Sequence, residues 1–61
     1  MKRRDLIKLL KQAGFVLVSS SGGHDKYARG NEIEMVPRHR ELNEMLAKAI
    51  IHRRNLERWM K

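Results

Sequence analysis

The sequence has 61 residues, a formal net charge of +7 at pH 7 and no cysteine. This length accommodates one small domain, residues 1–61, and the absence of cysteine excludes disulfides and thiolate metal sites. A hydrophobic share of 41% is too high for a disordered basic tail.

The composition also limits the location of the protein and its partners. No apolar run approaches the roughly 18 residues that a membrane-spanning helix needs, and the charged start of the chain does not resemble a secretory signal. A chain without cysteine suits a reducing compartment, so we expect a cytoplasmic protein with no membrane partner. The excess of basic residues predicts an anionic partner, either nucleic acid or an acidic protein.

The first predicted element is an amphipathic helix over residues 2–13. Gly14 is typical of the position just past a helix end, because a left-handed backbone costs glycine little. The apolar residues follow the i, i+3, i+4, i+7 spacing that places them on one face, which predicts a buried stripe of Leu6, Leu9, Leu10 and Ala13, widened by Ile7.

The middle of the chain predicts three strands joined by two turns. The first run is β-branched and aromatic, and the third alternates polar and apolar residues as a half-buried strand does. Gly30-Asn31 is a signal for a two-residue hairpin turn of the primed kind, and Pro37 ends the third strand. The predicted strands are 15–19, 24–29 and 32–36, and the predicted turns are 20–23 and 30–31.

A second helix is predicted after the strands. Asn43 can cap it, with Glu44 in its first turn. Two ends are compatible with the sequence: a left-handed residue at Asn55 with Leu56 folding back, or continuation to Trp59. The spacing predicts a buried stripe of Leu42, Met45, Leu46, Ala49 and Ile50, extending at most to Arg53.

The element order is therefore α-β-β-β-α. Short connections make the three strands an antiparallel meander, and each helix has one apolar stripe that a sheet face can cover. The predicted fold class is α+β, a two-layer sandwich with both helices on one face of a three-stranded sheet and the other face open.

One histidine stands out at the start of the second strand. Because side chains alternate between the faces of a strand, His24 and Lys26 share one face and Tyr27 lies on the other. Tyr27 has the largest apolar body in that strand, so its face predicts the core, and His24 and Lys26 then point outward.

An outward histidine beside a cation suits metal-free cleavage of RNA. Imidazole titrates near pH ~6.5 and can remove a proton from a ribose 2′-hydroxyl. Lys26 and the backbone N–H groups of Gly22 and Gly23 would hold the phosphate oxygens. Residue types alone leave open the alternative that His24 is an ordinary surface histidine after a plain hairpin loop.

The connector before the second helix adds cations. Arg38, His39 and Arg40 predict a phosphate-binding patch, with a solvated charged loop as the alternative. Basic blocks at both ends of the chain, the second including Lys48, predict a broad phosphate-binding surface on the helix layer. His52, in the middle of the second helix, is predicted to be an ordinary surface residue.

The sequence predicts no cofactor and no metal site. His24 and Asp25 are adjacent in a strand and therefore face opposite ways, and no other cluster of ligand side chains is present in the sequence.

Five stretches, in order and with family-like spacing, resemble the HicA family of toxins. The likeness covers most of residues 1–56, and its most telling part is a glycine-x-His-x-x-aromatic pattern. The stretches are Met1–Leu10, Gly14-Phe15, Gly22–Tyr27, Met35–His39 and Leu46–Ile50.

The resemblance implies a fold similar to a double-stranded-RNA-binding domain and the activity of an mRNA interferase that arrests translation. It places the family's catalytic histidine on His24 and its glycine-containing approach on Gly22 and Gly23. Gly23 stands where the family usually has a small hydroxyl residue, and Asn55 stands where it usually has glycine. The resemblance also implies an antitoxin partner, HicB, acidic where it meets the toxin and covering the active histidine.

Two other functions fit parts of the sequence. A non-catalytic reader of double-stranded RNA would share the fold and the charge. A DNA-binding subunit of a repressor fits less well, because a helix-turn-helix needs adjacent helices, and residues 19–36 separate the two helices here.

Overall fold

Two helices, three strands and a short 3₁₀ turn make up the computed structural model, which describes residues 1–60. The predicted order of helices and strands is confirmed. The elements are α1 (Arg3–Gln12), β1 (Val16–Ser21), β2 (His24–Arg29), β3 (Glu32–Pro37), α2 (Glu44–Arg53) and a 3₁₀ turn at Leu56–Trp59.

The end of α1 fixes the position of Phe15. Gly14 has a φ of 100°, and the N–H groups of Gly14 and Phe15 donate to the carbonyls of Lys11 (3.0 Å) and Leu10 (2.9 Å). This pair of hydrogen bonds is a Schellman motif, which reverses the chain after a helix. Phe15 consequently enters the core before the sheet begins, and the predicted strand start at residue 15 is wrong by one residue.

Both turns of the meander are tight. Gly22 and Gly23 have φ values of 59° and 78°, so two residues are enough to reverse the chain. Ser20 and Ser21, predicted as part of the turn, therefore belong to β1 and pair with Asp25 and His24. At the second turn the positive φ of Gly30, 58°, confirms a turn of the primed kind.

The three strands form one antiparallel sheet in the order β1-β2-β3. Tyr27 is paired with Leu17 and Glu34, and Tyr27 and Glu34 are buried on the face that the helices cover. Lys26 is paired with Met35, and the exposure of Met35 marks the opposite face as open. The predicted two-layer arrangement is confirmed.

α2 begins as predicted but presents a different face. Its cap is Asn43, whose side-chain oxygen accepts hydrogen bonds from the N–H groups of Met45 (2.8 Å) and Leu46 (3.3 Å). Met45 is 81% exposed and Ala49 is also exposed, so their predicted burial is wrong. The helix buries Ile50, as predicted, together with Ala47 and Ile51.

The face that α2 buries continues one turn further along the helix. The buried stripe continues at helical spacing from Ala47, Ile50 and Ile51 to Arg54, whose guanidinium bonds the buried Glu34. Asn55 adopts the left-handed conformation (φ 56°, ψ 44°) and Leu56 is fully buried. This confirms the first of the two predicted helix ends.

One hydrophobic core joins the helices to the covered face of the sheet. Buried side chains from both helices, from β2 and β3, and from the segments that join and follow these elements pack together there: Leu6, Ile7, Leu9, Leu10, Phe15, Tyr27, Val36, Leu42, Ile50, Ile51 and Leu56. Among the described residues, no helix has the length and apolar character needed to cross a membrane.

Candidate active site

His24 stands at the first position of β2, directly after the Gly22-Gly23 turn. Its ladder partners are Ser21 on β1 and Pro37 on β3, so it lies at the end of the sheet where both neighbouring strands finish. The side chain is exposed to solvent, as the strand alternation predicted.

A hydrogen bond to the turn orients the imidazole. His24 Nδ1 lies 3.2 Å from the carbonyl oxygen of Gly22. When the ring is neutral and Nδ1 carries the proton, Nδ1 donates to that carbonyl, and Nε2 is left as an unprotonated acceptor. The turn therefore favours the tautomer in which the free nitrogen is available to a ligand.

The glycines of the turn are needed for their backbone conformation. Both have positive φ, which non-glycine residues rarely adopt. A Cβ built at Gly22 or Gly23 would meet nothing within 4 Å, so the space beside the turn is open. A phosphate can consequently approach the loop backbone without displacing other parts of the protein.

Lys26 shares the open face with His24, two residues further along β2. The same face carries an apolar group, each member about half exposed: Val16, Ile33 and Met35. His24 is thus at the edge of a surface with one cation and several apolar side chains.

The connector lies beside this end of the sheet. The Arg38 N–H donates to the carbonyl of Gly23 (2.9 Å), and this places Arg38 next to the turn that carries His24. His39 and Arg40 follow and are exposed. The structure therefore places the backbone of Arg38 beside the turn that carries His24, while its guanidinium lies near Asp25. The rest of the predicted patch continues along the connector.

Lys48 is placed differently. It lies in the second turn of α2 and is exposed. Within residues 1–60 no hydrogen bond or ion pair joins it to the turn or to the connector, so its predicted part in the site receives no geometric support.

Sequence reasoning missed a buried carboxylate behind the histidine. Asp25 points into the covered face and its carboxylate binds the guanidinium of Arg3, while Arg38 Nε lies 3.6 Å from its other oxygen. The Ser20 hydroxyl, which lies across the strand pair from Asp25, lowers the pKa of Asp25. Burial opposes that shift, the charges of Arg38 and Arg3 add to it, and the net pKa is lowered. The available signal was the alternation that put Asp25 on the core face, because a buried carboxylate requires a cation.

A second set of ion pairs lies towards the other end of the sheet. Glu34 is buried and accepts hydrogen bonds from Arg53 Nη2 (2.7 Å) and Arg54 Nε (2.6 Å). Burial raises the pKa of Glu34, but the bonds from the two arginines outweigh it and the net pKa is lowered. Arg53 and Arg54 are thus paired with a carboxylate of the protein, which reduces what the C-terminal basic block can offer to a ligand.

Among the described residues, no three side chains of His, Asp or Glu lie close enough together to hold a metal ion. The groups at the end of the sheet that bears His24 are an imidazole, guanidinium and ammonium groups and a glycine turn. Such a set can accept a proton and bind an anion.

These features define a small basic α+β protein with an exposed histidine on a glycine turn. The family model described as "HicA toxin of bacterial toxin-antitoxin" matches residues 3–56. The chain belongs to the HicA toxin family and is a toxin of a toxin–antitoxin system. Comparisons with curated proteins and with solved structures returned no match.

Proposed function

We propose that this toxin is an endoribonuclease that cleaves mRNA without a metal ion and thereby arrests translation. The observation that carries the proposal is the exposed His24 imidazole, whose Nδ1 lies against the Gly22 carbonyl. Nε2 is then the free basic nitrogen, and it projects from a turn that a phosphate can approach.

The reaction proceeds by attack of the neighbouring ribose oxygen. His24 Nε2 removes the proton of a 2′-hydroxyl as a new bond forms between the 2′-oxygen and the adjacent phosphorus. The bond from phosphorus to the 5′-oxygen breaks, and that oxygen takes a proton from the imidazolium or from water. The products are a 2′,3′-cyclic phosphate and a 5′-hydroxyl end.

The groups around the histidine would stabilise the developing charge. Lys26 and the backbone N–H groups of Gly22 and Gly23 hold the non-bridging phosphate oxygens, where negative charge accumulates in the transition state. Arg38, His39 and Arg40 hold the flanking backbone of the RNA. Lys48 remains a proposed contact for a more distant phosphate.

The test is cleavage of RNA by the wild type and by two matched variants. His24→Ala is expected to lose cleavage and keep its thermal unfolding midpoint, whereas His52→Ala, which removes an exposed imidazole on α2, is expected to cleave normally. Cleavage should persist in EDTA, and a deoxyribose at the cut site should abolish it. Cleavage by His24→Ala at the wild-type rate would contradict the mechanism.

The same assay separates the enzyme from a non-catalytic RNA reader. A reader binds RNA but leaves it intact in both the wild type and His24→Ala. Inducing the wild type and His24→Ala in cells, and following growth and mRNA integrity, extends the test to the arrest of translation.

We further propose that the antitoxin HicB covers His24 through an acidic surface. The net charge of +7 and the half-exposed Val16, Ile33 and Met35 on the open face support a partner that is both acidic and partly apolar. Charge complementarity of this kind makes association fast and sensitive to salt. An association rate that stays constant between low and high salt would count against it.

A further inference from the structure

A basic cleft opens between the start of α1 and the connector after β3. It encloses about 270 Å³, and every residue that lines it is a cation: Lys2, Arg3, Arg4, Arg38 and Arg40. We call this the α1–connector cleft. The exposed histidine and the cleft lie at the same end of the sheet, since Arg38 bonds the turn before His24.

Backbone hydrogen bonds hold the two walls of the cleft together. The Arg3 N–H donates to the carbonyl of Arg40 (2.9 Å), and the Leu42 N–H donates to the carbonyl of Met1 (2.8 Å). Lys2 and Glu41 form an isolated antiparallel bridge. The first amide of α1 is thus already bonded, so any affinity of the cleft for an anion comes from its side chains.

The five cations differ in how they are neutralised. Arg3 and Arg38 flank the carboxylate of Asp25, and Arg3 Nε also donates to the carbonyl of Pro37 (2.9 Å). Within residues 1–60, Lys2, Arg4 and Arg40 form no ion pair with a carboxylate. The cleft therefore contains two arginines held in place by one buried carboxylate, and three cations that a ligand can neutralise.

We propose that the α1–connector cleft binds the phosphodiester backbone of single-stranded RNA next to the nucleotide that His24 attacks. This inference rests on the proposed function and adds Lys2, Arg3 and Arg4 to the residues that position the substrate. Guanidinium groups match phosphate oxygens in a two-pronged geometry. An acidic protein is the alternative occupant, and the binding experiment below distinguishes the two.

The size of the effect follows from counterion release. Each phosphate neutralised on a single strand contributes about 0.7 to the slope of log affinity against log salt concentration. Loss of three cations is expected to lower that slope by about 2. The affinity of the variant, relative to that of the wild type, should therefore be roughly 100-fold lower at 0.1 M salt than at 1 M salt.

The experiment measures binding of a fully 2′-O-methylated single strand, which 2′-hydroxyl attack cannot cut. The cleft variant combines Lys2→Gln, Arg4→Gln and Arg40→Gln. A matched control removes three exposed cations elsewhere, through Lys8→Gln, Lys11→Gln and Arg58→Gln. A charge-retaining variant combines Lys2→Arg, Arg4→Lys and Arg40→Lys. Fluorescence anisotropy over a salt series gives the affinities and slopes.

The cleft variant should show the full loss of affinity and slope, and the control a much smaller loss. The charge-retaining variant should keep the wild-type slope, because it carries the same charge, and should lose less affinity than the cleft variant, because only the two-pronged geometry of arginine is removed. Equal losses in the cleft variant and the control would overturn the proposal in favour of a diffuse basic surface. Unchanged RNA binding with lost binding to an acidic peptide would overturn it in favour of a protein partner.

The proposal for the cleft and the proposal for the catalytic histidine can be refuted separately. If His24→Ala cleaves RNA like the wild type, the proposed mechanism is wrong, while the binding loss in the cleft variant still stands. If His24→Ala is inactive and the cleft variant binds the methylated strand as tightly as the wild type, only the cleft proposal is wrong. The substituted side chains are on the surface, and thermal unfolding of each variant confirms that it folds.

Discussion

Substituting Glu34 with glutamine should destabilise this protein strongly. Glu34 is 5% exposed, and its carboxylate accepts hydrogen bonds from Arg53 and Arg54. Glutamine has nearly the same shape but no charge, so the change leaves Arg54, with a side chain only 14% exposed, without its closest counter-charge. Removing one partner of a buried ion pair typically costs about 3–5 kcal/mol.

Two features of the structure reduce the expected loss in the free energy of unfolding. The Arg53 side chain is 50% exposed, so water can solvate its guanidinium after the change. Arg54 keeps Glu32 at 3.3 Å and the Ile33 carbonyl at 2.9 Å. We therefore expect a loss of about 2–3 kcal/mol. At roughly 0.05–0.15 kcal/mol per residue the whole domain has only about 3–9 kcal/mol, so the loss is a large share of the total.

Urea unfolding followed by circular dichroism at pH 7 measures this effect. Glu57→Gln is the control, because Glu57 and its partner His52 are both exposed, and we expect it to stay within about 0.5 kcal/mol of the wild type. The double variant Glu34→Met/Arg54→Leu removes both charges and should recover part of the loss. A Glu34→Gln protein as stable as the control would refute the idea that these ion pairs secure α2 to the sheet.

Three further predictions concern stability. The folded-state pKa values of Asp25 and Glu34 are lowered, so their contribution to the free energy of unfolding is complete above their ordinary pKa values of 3.8 and 4.5. It is lost as the pH falls below those values. Thermal unfolding midpoints measured from pH 7 to 2 should therefore drop on the acid side, and less steeply for Glu34→Gln. Asn43→Ala removes the cap of α2 and should cost about 1 kcal/mol by urea unfolding. Asn55→Ala puts alanine at a φ of 56°, a left-handed conformation that alanine adopts less readily than asparagine, and should cost about 1 kcal/mol. Asn55→Gly should not cost stability, because glycine adopts this conformation freely, and equal loss in both variants would contradict this reason.

The sheet was predictable because its signals are local. Two-residue turns of the primed kind require a positive φ, which glycine adopts readily at positions 22, 23 and 30. Alternation along β2 then fixes which face carries His24. The bounds of β2, residues 24–29, are confirmed without change. The prediction of β1 was less accurate, because the Schellman motif that withdraws Phe15 from the strand depends on hydrogen bonds to α1.

The face of α2 was not predictable in the same way. The predicted stripe and the observed one both have helical spacing and share Ile50, so spacing alone does not distinguish them. The observed face packs Ile50 and Ile51 into the core and also brings Arg54 to Glu34, a contact between residues far apart in the chain. A single sequence offers no local signal for an ion pair between residues twenty positions apart. The same limit hid the pairing of Arg3 with Asp25.

The distribution of these carboxylates explains why the candidate site lies where it does. Towards the Gly30 end of the sheet, Glu32 and Glu34 engage Arg29, Arg53 and Arg54. At the opposite end, beside His24, one buried carboxylate stands against the five cations of the α1–connector cleft. Folding thus leaves part of the +7 charge uncompensated at the end of the sheet that bears the histidine. A polyanion attracted by the field of the whole molecule meets free cations at that end, whereas Glu32 and Glu34 neutralise arginines at the other end.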